Sequence, residues 1–340
     1  MTIGRRGFLA SAGGAVLLAA SARRGGSRAA ANSSGLPWPS GVSSWRPEPF
    51  AEWRGRPLDI LTVFSRFDTW QQMRHLGREG TMLGAHLGRP ERLSASLAMF
   101  PRHDGPVPRD QPELWGDAAE GRYDEAWRDG FANLRRLTER DDFVFRVGWE
   151  WNSDTSFPWG IVDENWAEAY RATFRRFVAI AREPFPRSQI DWCSLKRGAQ
   201  RHVDPFYPGG DVVDFIGHDR YDRNPAAVSV EAWDEAASAG DGPGAPIGVR
   251  AWLDYARDKG KPLSIPEWGV WSHGGRGGGG AGDNPVFIEQ MFAFFQQNAD
   301  AIGYECYFNQ SGGPAQHTIG PGDGPNPEAS EAYARLYRPD

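Results

Sequence analysis

Two glutamates each close an apolar run and are followed at once by tryptophan: Glu150 in FVFRVGWEWN (residues 143–152) and Glu267 in PLSIPEWGVW (residues 262–271). Two carboxyls facing each other across a cleft can cleave a glycosidic bond with retention. One protonates the leaving oxygen, the other attacks the anomeric carbon, and the two stand about 5–5.5 Å apart. Trp149 and Trp151 give Glu150 the apolar surroundings that raise a carboxyl pKa and suit a general acid. Glu267 must stay ionised to attack, and Arg146 and the Tyr221 hydroxyl within reach would favour that. The competing explanation is structural, with both glutamates paired to arginines such as Arg146 inside the fold.

The elements that must hold this pair alternate along the chain. Short apolar or β-branched runs, polar or Gly/Pro connections and helical segments repeat from Leu36 onward, the sign of βα units and a parallel sheet. Candidate strands are Gly41–Ser44, Asp59–Ser65, Thr81–Leu87, Phe143–Trp151, Gln189–Leu195, Val213–Tyr221, Leu263–Trp268 and Ile302–Asn309. Eight such units predict a (β/α)8 TIM barrel, an α/β fold, as a single catalytic domain over residues 36–340. Apolar stripes at helical spacing (Tyr123, Trp127, Phe131, Leu134; Trp166, Tyr170, Phe174, Phe177) mark helices that cover the barrel. Further helices are expected from Val286 and over Glu328–Leu336.

In such a barrel chemistry sits at the carboxyl ends of the strands. Period two puts Arg146, Gly148 and Glu150 on one face of the fourth strand, and Phe215, Gly217, Asp219 and Tyr221 on one face of the sixth. The same rule aligns Leu263, Ile265 and Glu267 in the seventh, where Pro266 should break regular pairing because it cannot donate to a ladder. His86, closing the third candidate strand, and His218 are possible substrate contacts, as are Lys196 and Asn309 at the ends of the fifth and eighth. Among the nearby aromatics, Trp149, Trp159, Trp268 and Tyr307 are candidates to stack on sugar rings, with Trp151, Phe157 and Trp271 as further possibilities.

The 340 residues carry 38 Lys+Arg against 44 Asp+Glu, a net charge of −6. The first 31 residues hold five arginines and no acids, so the remainder is acidic and lacks the basic footprint that nucleic acid or an anionic membrane requires. Cys193 and Cys306 are the only cysteines, read as buried thiols. No His/Asp/Cys cluster suggests a metal, and no cofactor is expected. The glycine tract at Gly274–Asp283 lacks the Lys-Ser/Thr of a phosphate loop. Together with Ala237–Gly248 it reads as a mobile loop. Arg5-Arg6 followed by Phe8-Leu9 and a short Ala/Gly-rich apolar run resembles the bacterial twin-arginine export signal. Residues 1–31 are therefore expected to be a signal and short linker, which implies a periplasmic or extracellular protein.

The block Arg146 to Gly160, RVGWEWNSDTSFPWG, resembles glycoside hydrolase family 26, a clan A family of (β/α)8 enzymes dominated by β-mannanases. There Arg-x-x-His-Glu-Met-Asn-Gly precedes Trp-Phe-Pro-Trp, and Arg146, Glu150, Asn152 and the Phe157-Pro158-Trp159 run match. VDFIGHDRYD matches the family's sixth strand through Val213, Asp214, Gly217, Asp219 and Tyr221, and EWG matches its Glu-x-Gly. The resemblance implies Glu150 as acid/base, Glu267 as nucleophile, Tyr221 as the residue orienting the nucleophile, and a monomeric endo-β-glycosidase acting on a β-linked polysaccharide or oligosaccharide, β-1,4-mannan first. Trp149 stands where the family has histidine, and Ser156 falls where a substrate-stacking tryptophan usually lies. The alternatives are a β-glucanase, β-1,3-xylanase or exopolysaccharide hydrolase of the same fold, or a carbohydrate-binding barrel without turnover.

Overall fold

Eight parallel strands close into a barrel in chain order: β1 (Ser40–Ser43), β2 (Ile60–Phe64), β3 (Arg92–Leu97), β4 (Val144–Val147), β5 (Gln189–Leu195), β6 (Phe215–Tyr221), β7 (Leu263–Gly269) and β8 (Ile302–Phe308), with β8 returning to β1. The computed structural model describes residues 31–339 except 154–155, 162, 196–201, 241–244, 272–278, 311–315 and 323. The segment expected to be an export signal lies, up to residue 30, outside the described residues. So does Lys196, along with much of the two loop tracts. Among the described residues no helix is long and apolar enough to cross a membrane.

The expected stripes are helices Asp124–Leu137 and Ala167–Arg182, and the two later helices run over Pro285–Gln297 and Pro327–Tyr337. Their apolar faces bury against the outward residues of the strands. Phe131, for example, meets Phe145 of β4 at 5.5 Å and Phe177 of the next helix at 5.4 Å between ring centroids. Cys193 and Cys306 are free and buried, as expected.

The third strand is displaced from the expected one. Thr81–Leu87 does not form a strand; Met82–His86 is a short helix, and the Thr81 hydroxyl caps it by accepting from the Gly84 amide at 3.0 Å. A Ser/Thr cap ahead of an apolar run starts a helix, and this signal outweighed the hydrophobicity of the segment. The true β3, RLSASL, alternates Ser94 and Ser96 with Leu93, Ala95 and Leu97, all buried. Its inward face carries small hydroxyls where β-branched residues would have advertised a strand.

Pro266 breaks the pairing of β7, as expected, with register shifts against β8 between Ile265 and Trp268. The consequence for the faces is larger than period two allows. Ser264 points inward and donates to Asp191 at 2.7 Å, while Glu267, three residues on, also points inward, to Arg146. Leu263 and Ile265 join the outer core instead of sharing the face of Glu267.

The amino end of the barrel is filled. Ile60, Val144, Phe215, Tyr304 and Cys306 form an apolar layer. Directly above it the buried Asp191 carboxyl accepts from the hydroxyls of Ser264 and Tyr304, and Tyr304 shares a 2.8 Å bond with Ser94. Burial raises the pKa of Asp191 to about 6. Gly217 of β6 is required beside this group, since a Cβ there would come within 2.2 Å of an Asp191 oxygen.

Candidate active site

β4 ends at Val147, and the next turns aim Glu150. Gly148 and Glu150 both have left-handed backbones, φ 51° and 52°. This conformation is open to glycine but strained for glutamate. It swings Trp149 out of the barrel into an aromatic cluster with Phe64, Phe67, Phe157 and Trp159, ring centroids 4.7–5.7 Å away, and returns Glu150 to the mouth. Gly148 makes room for this cluster: a Cβ would lie 2.9 Å from Met99 Sδ and 3.2 Å from Trp159 Cδ1. Asn152 anchors the turn by accepting from the Leu195 amide at 2.8 Å and donating to its carbonyl at 3.2 Å.

Arg146 is the fully buried hub below. Its Nη1 donates to Glu267 Oε1 at 2.9 Å and Ser96 Oγ at 2.7 Å, and its Nη2 donates to the two Asp219 oxygens at 2.9 and 2.7 Å. The second oxygen of Glu267 accepts from the Tyr221 hydroxyl at 2.8 Å. Although burial opposes its charge, the facing Asp219 and Glu267 carboxylates hold the guanidinium firmly protonated. Burial and the same carboxylates push the Tyr221 phenol well up, so it remains a donor.

Oxygens of Glu150, Asp219 and Glu267 lie within 4.8 Å of one another. One guanidinium cannot offset three negative charges. Burial first, and the Glu267 carboxylate second, raise Glu150 to a pKa of about 8, against the opposing pull of Arg146 and Arg223. The trio is a donor set that a cation could share, but Arg146 already supplies the positive charge between two of its members.

These groups open into a pocket of about 290 Å³, whose wall continues through Ser156, Leu195, Arg223, Asn224, Trp271, Phe308 and His317. Of the residues expected at the site, Glu150, Glu267, Asp219 and Tyr221 line it, and Arg146 and Asn152 support it from behind. Apart from Trp271, the aromatic residues expected to stack on sugar do not line it. Trp159 donates its indole N–H to the Trp149 carbonyl at 2.8 Å. Trp268 donates to Glu305 at 2.6 Å on the outer face. Tyr307 donates to the His317 carbonyl at 2.7 Å. All three are fully buried, and Trp149 nearly so. Of the aromatics weighed from sequence, Trp271 alone borders the pocket.

His86 sits on the helix that replaced the expected strand, buried and with Nδ1 on the Met82 carbonyl. His218 faces outward, with Nδ1 3.2 Å from Ser194 Oγ and its ring stacked on Trp252. Asn309 accepts from the Ile319 amide. Sequence reasoning missed Arg223, Asn224, Phe308 and His317. Arg223 and Asn224 directly continue β6, a position that was available as a signal. His317 comes from a connection with no motif.

No known family profile matches the chain, and no curated protein matches it. Solved structures share its backbone. The catalytic domain of a family 26 endo-beta-1,4-mannanase from a Bacillus species superposes with a TM-score of 0.60 at 14% identity, covering 90% of this chain and 86% of that one. The protein GH26C from a Muricauda species gives 0.59 at 15%, covering 90% and 85%. A modular endo-beta-1,4-mannanase from Cellulomonas fimi gives 0.56 at 18%, covering 85% of this chain and 65% of that. At these identities the likeness is one of fold, the (β/α)8 barrel.

Proposed function

We propose that the chain is a retaining β-glycosidase related to glycoside hydrolase family 26, with Glu150 as acid/base and Glu267 as nucleophile. The observation that carries this is the approach of the two carboxyls to within 4.8 Å at the barrel mouth. Oxygens that close suit the direct attack of a retaining pair, about 5–5.5 Å apart, better than the wider spacing of about 6.5–9.5 Å that inversion uses.

The electrostatics fit the two roles. Glu150, with a pKa raised to about 8, holds a proton at neutral pH and gives it to the departing glycosidic oxygen. Glu267, gripped on one oxygen by Arg146 and on the other by Tyr221, attacks the anomeric carbon and forms an ester as that bond breaks. Esterification removes the Glu267 charge, the second cause after burial of the raised Glu150 pKa, so that pKa falls. The resulting carboxylate can take a proton from water, whose oxygen then attacks the anomeric carbon and releases Glu267.

The substrate we propose is a β-linked polysaccharide of the β-1,4-mannan type. Three considerations support this: the block Arg146 to Gly160, the mannanases among the similar solved structures, and an acidic chain, 38 Lys+Arg against 44 Asp+Glu, without the basic footprint an anionic polymer would need. Export by the twin-arginine route is part of the proposal and rests on the Arg5-Arg6 segment.

The test is reducing-sugar release by the protein without residues 1–31 on mannan, glucomannan, mixed-linkage β-glucan, β-1,3-xylan and bacterial exopolysaccharides, with Glu150→Ala and Glu267→Ala alongside. Release from one polymer, lost in both variants, is the expected result. Oligosaccharide binding without release from any polymer would instead identify a carbohydrate-binding barrel.

A further inference from the structure

The pocket contains a histidine that the acid/base and nucleophile do not use. His317 follows β8, is 6% exposed, and borders the cavity beside Tyr221, Trp271, Phe308 and Glu267. Its Nδ1 lies 2.7 Å from the carbonyl oxygen of Val270, at the end of β7. A carbonyl only accepts, so Nδ1 carries the proton, and in the neutral ring Nε2 presents a bare lone pair. Among the described residues no hydrogen bond to that second nitrogen is formed.

The ring is held on every side. Its centroid is 4.8 Å from Tyr221, 4.9 Å from Trp271 and 5.2 Å from Phe308, and its own carbonyl accepts from Tyr307 at 2.7 Å. An acceptor fixed in this way needs no reordering when a ligand arrives. Burial lowers its pKa, partly countered by the bond to the Val270 carbonyl and then by Glu267, so the neutral form prevails at neutral pH.

The two groups that hydrogen-bond Glu267, and the facing acid, are already committed. The Tyr221 hydroxyl is engaged with the nucleophile, Arg146 lies beneath the floor, and Glu150 must keep its proton for the leaving oxygen. A sugar ring in this cavity has hydroxyl donors to satisfy, and a hydroxyl meeting no acceptor in a desolvated site weakens binding.

We propose that His317 is a specificity residue whose Nε2 accepts a hydrogen bond from one hydroxyl of the sugar unit bound beside Glu267. This rests on the glycosidase reading above. It assigns to the connection after β8 a contact that selects which hydroxyl pattern is processed.

The test is a double-mutant cycle between protein and substrate. Wild type and His317→Phe are assayed on 4-nitrophenyl β-glycosides of mannobiose, cellobiose and xylobiose, then on singly deoxyfluorinated versions of whichever is cleaved best, fluorine being unable to donate. The expected result is that one fluorinated position costs wild type about ten- to hundred-fold in kcat/KM and costs His317→Phe almost nothing further. His317→Gln, which restores an acceptor near the position of Nε2, should recover part of the discrimination at that same position. A purely structural role would lower the rate on every analogue by one factor and leave no position-specific coupling. Turnover by wild type with no coupling at any position overturns the inference alone. No turnover of any parent glycoside by wild type overturns the glycosidase reading and the inference together.

Discussion

Gly148 and Glu150 share a left-handed backbone, φ 51° and 52°, on either side of Trp149. The strand that carries Arg146 inward stops one residue before this pair, and two unusual torsions then do what a continuing pleat would have done. They bury Trp149 in the aromatic cluster and present Glu150 to the cavity. The glycine meets the geometry at no steric cost, while the glutamate holds it under strain, a common circumstance for a residue placed for chemistry.

Gly148→Ala combines a positive φ with a Cβ 2.9 Å from Met99 Sδ. It should destabilise the protein by about 1–3 kcal/mol and reduce turnover by displacing Glu150. Urea denaturation monitored by tryptophan fluorescence, with kcat measured in parallel, checks both. Unchanged stability together with unchanged kcat would remove the turn from the account of the site.

The acid role proposed for Glu150 sets a pH limb. Glu150 must be protonated to act, and its pKa is raised to about 8, so kcat/KM should fall as pH rises through that value. With a dinitrophenyl leaving group, which departs unaided, Glu150→Gln should keep its first step and show no such limb. With an unactivated glycoside it should lose about 10²–10⁴-fold.

The same shift has a cost in stability. The native carboxyl retains a proton that the unfolded chain, at the ordinary value of 4.5, has already released, so stability declines as pH rises from about 4.5 to about 8. Glu150→Gln is neutral throughout and should gain on wild type across that window, by roughly 2–4 °C in Tm per kcal/mol recovered. Melting curves at pH 4 and pH 9 measure it, and equal differences at both pH values would contradict the raised pKa.

Tyr221→Phe removes the hydroxyl 2.8 Å from Glu267 Oε2 and leaves the ring packing in place. A hydrogen bond to a charged oxygen contributes about 1.5–3 kcal/mol, so kcat should drop about ten- to hundred-fold with a small change in KM. A change confined to KM would move Tyr221 from the nucleophile to the substrate.

Arg146→Met leaves Asp219 and Glu267 buried without their counter-charge. Breaking a buried pair from one side costs about 3–5 kcal/mol, which denaturant unfolding at pH 7 should register. Lowering the pH should narrow the loss, because protonation relieves the stranded carboxyls.

The barrel and its acidic pair were legible because both depend on local pattern. Seven of the eight strands announced themselves through apolar runs, and Glu150, Asp219, Tyr221 and Glu267 lie at or near the ends of three of them. The third strand was hidden because Ser94 and Ser96 face inward, where the barrel needs small hydroxyls beside Arg146, and a capped helix nearby offered a more hydrophobic decoy. The stacking residues were misread for a related reason. Tryptophan beside a strand end looks the same whether it faces sugar or core, and Trp149, Trp159 and Trp268 are turned into the core by the left-handed turn and by the bulge at Pro266. His317 comes from a connection whose path is set by tertiary contacts that no local periodicity encodes.

The filled amino end of the barrel, with Asp191 above an apolar layer to which Tyr304 belongs, makes the cavity a cul-de-sac. Among the described residues the packed axis offers no rear exit for a spent fragment, so a cleaved piece departs on the side from which the substrate came. How long it lingers there sets the delay before the next arrival.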